Sequence, residues 1–226
     1  SRNPEKTHTA FTVTVTSNLD YLMSSLYTIL TQQLPNKTLK INYIDEPEQI
    51  INSIIRRTCD VGIVSDVCGA IDENAFYTAN IGKTIEECTV FESPLVAVMS
   101  PQHPLAAKKV ISINDLRKQS LIFSHSSTPI KSFLKKQIDI GSLECFNVFN
   151  HKLVENFCLS QNGITFLPRE MSDSSFLVSR PFKEYMPMKF LLFYRKGELT
   201  QDITLLIRHL KNCIQQNIDI SNPYPY

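Results

Sequence analysis

Two apolar periods alternate at the start of this chain, and that alternation constrains its fold more than any other feature. Phe11-Thr-Val-Thr-Val-Thr16 repeats with period two and predicts a strand. Leu22, Leu26, Ile29 and Leu30 then fall on one face of a helix expected over about 19–34. Ser17 and Asn18 can cap that helix and Pro35 can stop it. The cycle repeats. Residues 39–44 read as a strand, Pro47 opens a helix with Ile50, Ile51, Ile54 and Ile55 on one face, and residues 61–64 form a short buried strand. Strands separated by helices at this spacing pair in parallel, so the fold class is α/β.

A second α/β series follows. Residues 85–99 stay extended but are interrupted by Ser93-Pro94, which reads as two strands joined at a bend. Strands are expected at 121–124, 146–149, 163–168, 176–179 and 189–195, with helices at 129–137, 151–159 and 200–216. The terminal helix places Ile203, Leu206, Ile207 and Leu210 inward, and residues 1–10 are polar and expected to fray. Crossings near Pro94 and between Pro181 and Pro187 divide the chain into two Rossmann-like lobes joined by a two-strand hinge. One lobe takes 1–93 plus 187–226 and the other 94–186. In open parallel sheets ligands sit at the carboxyl ends of strands, beside helix N-termini.

Composition removes several functions. A net charge of +1 is no basic excess, which argues against nucleic-acid binding by this chain alone. No apolar run approaches the roughly 20 residues that span a bilayer, so no membrane role is expected. The six cysteines (Cys59, Cys68, Cys88, Cys145, Cys158 and Cys213) form no C-x-x-C pair or zinc-ligand spacing, and no metal or cofactor is expected. They read as unpaired structural thiols of a reducing, cytoplasmic compartment, with a redox pair of Cys145 and Cys158 as the sharper alternative. No G-x-S-x-G, Walker, H-E-x-x-H or G-x-G-x-x-G motif occurs, and Glu86-Glu87 reads as a solvated face, so no catalytic residue is assigned.

Three stretches carry a family resemblance. Leu95-Val-Ala-Val-Met-Ser-Pro-Gln-His-Pro-Leu-Ala106, followed by Ile111-Ser-Ile-Asn-Asp-Leu116, is similar to a run of the form LVLVVSPDHPLA…ISLADL. Cys59-Asp60-Val61-Gly62-Ile63 resembles xLDLAI, and Asn162-Gly163-Ile-Thr-Phe-Leu-Pro168 resembles GxGIaxLP. In this order and spacing the three resemble the effector-binding domain of LysR-type transcriptional regulators, over nearly the whole chain. Gln161 and Asp45-Glu46-Pro47 stand where that family commonly has glycine. The resemblance implies a type 2 periplasmic-binding-protein fold and a small-molecule effector in the inter-lobe cleft. It also implies self-association, as a dimer here and a tetramer in the full-length protein. Pairing would use the first helix against the partner's second-strand region, with Tyr21 or Met23 at the interface. DNA would be bound only through an N-terminal winged helix-turn-helix that precedes this domain in the family and is absent here. Within the motif run, Pro101 and Pro104 end a strand and Ser112 caps a short turn holding Asp115 and Leu116, so His103 reads as punctuation.

The binding candidates are polar residues that follow strands. They are Thr16, Ser17 and Asn18; Ser65 with Asp66; Ser100; Ser124, His125, Ser126, Ser127 and Thr128; and Asn150. Hydroxyls and backbone N–H groups suit a small carboxylate or oxyanion, and His125 could add a proton-dependent charge. No arginine stands in these clusters to clamp a carboxylate. Two other readings use a related two-lobed fold. A transporter's solute-binding protein is disfavoured by the unpaired cysteines, and an enzyme by the missing nucleophile-base pair.

Overall fold

Parallel pairing at the amino end of the chain organises the first half of the structure, a computed structural model that describes residues 9–34, 36–124, 128–148, 151–160, 162–172 and 174–215. The expected frayed terminus before residue 9, the Pro35 stop, Phe149 and Gln216 lie outside these. β1 (Thr9–Val15) pairs in parallel with β2 (Lys37–Tyr43) on one side and β3 (Val61–Val67) on the other, with Val13 opposite both Ile41 and Val61. A strand flanked on both sides is covered on both faces by its crossover helices. Val13 and Val15 are accordingly buried, as is every residue of β3.

α1 (Asp20–Gln33) and α2 (Pro47–Ile55) are the crossovers. α2 starts at its proline and buries Ile50, Ile51 and Ile54. It lies directly on β3 because Gly62 has no side chain: a Cβ there would stand 2.3 Å from Ile50 Cγ2 and 3.0 Å from Ile54 Cδ1. α1 buries Met23, Leu26 and Leu30. Met23, expected at an interface, is 3 % exposed because its position in the helix period places it with Leu26 and Leu30 on the inward stripe. The side chains of Leu22, Ile29 and Tyr21 lie outside the described set.

The chain divides into two compact units. The first takes Asp72–Phe91 with the described residues up to Val64 and from Phe190 onward, and the second takes Ser65–Ile71 and Glu92–Lys189. Six further strands follow: β4 (Ile85–Met99), β5 (Leu121–Ser124), β6 (Cys145–Val148), β7 (Ile164–Pro168), β8 (Val178–Pro181) and β9 (Pro187–Arg195). The strand order is β2-β1-β3-β9-β4 in the first unit and β4-β7-β5-β6 in the second, with β8 on β4. β9 spans Pro187–Arg195, and α6 (Gln201–Gln215) buries Ile203, Leu206 and Leu210 in the first unit. A short helix absent from the sequence reading, α3 (Ala75–Asn80), is nucleated by Asn74, whose side-chain oxygen accepts from the Phe76 and Tyr77 amides at 3.0 Å each.

β4 (Ile85–Met99) is one unbroken strand of 15 residues, where two strands meeting at a bend were expected. Pro94 precedes the first β4–β7 pair, Leu95 with Pro168, so the β7 side of the ladder requires no amide of it. Its neighbours are held by hydrogen bonds: the Leu95 amide donates to Met186 O at 2.8 Å and Ser93 Oγ accepts from the Arg169 amide at 3.1 Å.

In the second unit β5 (Leu121–Ser124) pairs in parallel with β6 (Cys145–Val148) and β7 (Ile164–Pro168), while β4 runs antiparallel to β7 and β8 (Val178–Pro181). α4 (Thr128–Gln137) and α5 (His151–Ser160) complete it. Ile122, Val148, Val154 and Cys158 form one buried cluster, and Phe123, Phe166 and Phe182 stack in series at 5.8 and 6.0 Å. β8 starts two residues beyond the expected Phe176. The Phe176 and Leu177 amides turn onto Ser174 Oγ, at 3.2 and 3.3 Å, and leave Phe176 61 % exposed.

His103 is structural punctuation. It is buried, its amide donates to Ser100 O, and its Nδ1 accepts from the Leu105 amide at 3.1 Å, which starts the turn Pro104–Ala107. Ser112 caps the next turn: its amide donates to the Asp115 carboxylate at 2.9 Å, and Leu116 is buried.

Two outcomes follow. Gly62→Ala pushes α2 off β3 and lowers stability by about 1–3 kcal/mol, read as a lower midpoint of chemical unfolding. Burial pulls the His103 imidazole below its usual value, against a smaller opposing hydrogen bond to Gln119. The neutral ring therefore favours the fold above about pH 6.5, and that contribution is lost as the pH falls further. Unfolding midpoints decline from pH 7 toward pH 5 more steeply in the native chain than in His103→Asn, which keeps an acceptor but cannot titrate.

Candidate functional site

The residues proposed from sequence separate by unit. In the first, the carboxyl edge of β1 delivers Thr16 and Ser17. The register places Val15 opposite Tyr43 of β2 and Ile63 of β3, so the turn after β1 emerges level with the turn after β2. The Ile44 amide donates to Val15 O at 3.0 Å and the Thr16 amide to Ile63 O at 3.1 Å. These bonds place Asp45 beside Ser17, whose amide donates to Asp45 Oδ1 at 2.8 Å. Ser17 and Asn18 do not cap α1 as expected. They form a 3-10 turn, Ser17–Leu19, closed by the Leu19 amide on Thr16 O at 3.0 Å, and Leu19 holds the cap position without a side-chain bond. The anion that helix N-termini attract is thus supplied by the chain itself, as Asp45.

Thr16 is 5 % exposed, and its hydroxyl is the one buried side-chain oxygen or nitrogen among the described residues that has no hydrogen-bond partner. Buried polar groups are satisfied almost everywhere in proteins, because an unpaired one costs about 1–3 kcal/mol. The side chain of Asn18 lies outside the described set.

The second unit receives Ser65, Ser100 and the strand end at Ser124. Ser65 is buried on β3, and Asp66 beside it holds a loop by accepting the Gly69 and Ile71 amides at 3.0 and 2.9 Å. Asp66 therefore shapes the turn after β3. Ser124 ends β5 and Thr128 begins α4, and the side chains of both lie outside the described set. So do His125, Ser126, Ser127 and Asn150 entirely.

Ser100 must be withdrawn from that group. Met99 lies opposite Ile164, and Ile164 lies opposite Leu121 at the amino end of β5. Ser100 therefore leaves the sheet at the end remote from Ser124, roughly 13 Å away along the strand direction. The reason is the antiparallel course of β4, which sequence alone did not disclose. Its hydroxyl accepts the Gln102 amide at 3.2 Å and serves the His103 turn. Ser93 stands at the proper end instead, with its hydroxyl on the amide that follows β7. Asp45 and Ser93 are the residues that sequence reasoning missed at these edges. The sequence held a signal only for Asp45, where an acidic residue replaces a common glycine.

Other chemistry is sparse. A cavity of about 130 Å³ opens at the opposite, amino edge of β1, lined by Lys37, Asp60, Arg195, Glu198 and Asp202, but its charges are spent. Lys37 pairs with Asp202, Arg195 with Glu198, and Asp60 accepts the Thr12 amide. Burial raises both the Cys145 and the Cys158 thiol, the latter to about 12, which leaves little thiolate for oxidation. Among the described residues no cluster of three or more His, Cys, Asp or Glu could hold a metal ion, and no helix is long and apolar enough to cross a membrane.

Comparison with known proteins agrees with this architecture. No curated protein sequence matches the chain. Three solved structures with the same fold are the effector-binding domain of BenM with its effector benzoate, the regulatory domain of MetR from N. meningitidis and the reduced regulatory domain of OxyR from Pseudomonas aeruginosa. The BenM domain has 16 % identity and a TM-score of 0.62, over 96 % of each chain. The MetR domain, from a LysR family regulator, has 19 % identity and a TM-score of 0.67, over 92 % of this chain and 93 % of that one. The OxyR domain has 16 % identity and a TM-score of 0.65, over 91 % and 98 %. These likenesses establish the type 2 periplasmic-binding-protein-like fold. The family model described as the LysR substrate binding domain matches residues 7–214, and the chain belongs to that family.

Proposed function

We propose that this chain is the effector-sensing and oligomerisation domain of a LysR-type transcription factor. A small molecule is contacted from both lobes, 1–93 plus 187–226 and 94–186. Thr16, Ser17, Asn18 and Ser65 of the first, and Ser124, His125, Ser126, Ser127, Thr128 and Asn150 of the second, form its surroundings. The observation that carries this reading is the Thr16 hydroxyl, buried and unpartnered at the carboxyl edge of β1, where open α/β sheets take their ligands. A group left unsatisfied in the core costs stability, and a bound ligand repays that cost. The effector acts by favouring one arrangement of the lobes over another through its differential affinity, and an N-terminal DNA-binding domain reads the change.

Self-association uses the β2 edge. β2 is the terminal strand of its sheet. Tyr43 on β2 is 47 % exposed, and Tyr27 on α1, which packs beside β2, is 48 % exposed. Aromatic residues of this kind are enriched at protein interfaces. The BenM domain is seen with its effector benzoate and MetR is a LysR family regulator, and both support the same role here.

Thr16→Val tests the sensor. Removing an unpaired buried hydroxyl raises the stability of the ligand-free domain by roughly 1 kcal/mol. It also abolishes the concentration-dependent rise in Tm that the effector gives the native chain in a small-molecule screen. A variant less stable than the native chain, or one with an undiminished ligand response, removes Thr16 from the site. Tyr27→Glu tests the interface: sedimentation velocity at matched concentration shows dissociation to monomer, with the fold retained by circular dichroism.

A further inference from the structure

We infer that the effector presents an amine to Thr16, as an ammonium or another N–H donor, in place of the carboxylate or oxyanion that the hydroxyl-rich sequence suggested. The inference rests on the sensor reading above and names the ligand class of that same site.

Three observations converge. First, the Ser17 amide at the start of the turn into α1 is already taken by Asp45 Oδ1 at 2.8 Å, so an incoming anion must displace a carboxylate that the backbone holds in place. Second, the two chain segments that meet at this edge are acidic and carry no basic residue. Asp45, Glu46 and Glu48 follow β2, and neither residues 9–36 nor residues 41–55 contain a lysine, arginine or histidine. Of the basic side chains on β2, Lys37 stands at the amino end, paired with Asp202, and Lys40 at the middle of the strand. Third, the unpartnered Thr16 hydroxyl immediately precedes Ser17 and can accept a hydrogen bond from a ligand N–H. Asp45 has a second carboxylate oxygen beyond the one that Ser17 uses. An ammonium donates to both residues and neutralises the acidic turn, whereas a carboxylate meets the like charge of Asp45.

Isothermal titration with shape-matched pairs decides the matter: benzylamine against benzoate, and cadaverine against glutarate, on the native chain, Asp45→Asn and Thr16→Val. The amide oxygen introduced by Asp45→Asn still accepts the Ser17 amide, and Thr16→Val keeps the shape of threonine, so both variants retain the native circular dichroism spectrum. The expected result is binding by an amine member, weakened at least about tenfold by Asp45→Asn, as for a lost charge-assisted contact, and lost in Thr16→Val. Carboxylate binding that tightens in Asp45→Asn overturns the ligand class while leaving the sensor at the same site. Amine binding indifferent to both substitutions overturns the assignment to Thr16 and Asp45. If neither series binds, the inference fails together with the sensor reading on which it rests.

Discussion

β3 is buried along its whole length, and the position of everything at the carboxyl edge of the first unit depends on that burial. A strand with no exposed face must be covered by helices on both sides of its sheet, which requires parallel crossovers and sends each strand's carboxyl end to the same edge. Gly62 lets α2 settle against β3 at backbone distance, with Ile50 and Ile54 in the space a side chain would occupy. Once α2 is seated there, the turn that precedes it has little freedom. Asp45 then reaches the amide of Ser17, and the polar edge is a consequence of an apolar contact.

At that edge the chain keeps one unsatisfied group. Elsewhere its buried polar residues serve the scaffold: Asp66 closes a loop, His103 starts a turn and Ser93, next to Pro94, accepts the Arg169 amide. Against that background the solitary Thr16 hydroxyl is conspicuous, because the described residues otherwise meet the demand that buried donors and acceptors be paired. Cores tolerate such a group where function requires it.

The cysteines show the opposite economy. Cys59 and Cys158 pack as small apolar side chains, and burial raises both thiols, that of Cys158 to about 12. The Cys145 thiol is raised as well. These three thiols therefore serve packing and offer little thiolate.

Most of the fold was legible in the sequence because it is written in local periods. The alternation at Phe11–Thr16, the isoleucine face after Pro47 and the motif run from Leu95 to Leu116 each depend on residues close in the chain, and the strands and helices arise where those periods placed them. The exceptions had local competitors that the pattern hid, such as the Ser174 hydroxyl that shortens β8 and the Asn74 cap that makes α3. The site was legible only in part. Sequence could nominate every hydroxyl that follows a strand, but whether two of them share an edge depends on strand direction. The antiparallel course of β4 takes Ser100 to the wrong end of its sheet, while parallel pairing brings Asp45, a residue of another segment, to Ser17. Burial at Thr16 and the partner of each amide are likewise sums over segments distant in sequence. By itself the sequence determined the elements, the family and the candidate polar turns. Only the tertiary structure decided which turns meet, which hydroxyl is left without a partner and what charge surrounds it, because those follow from long-range pairing and packing that no local period encodes.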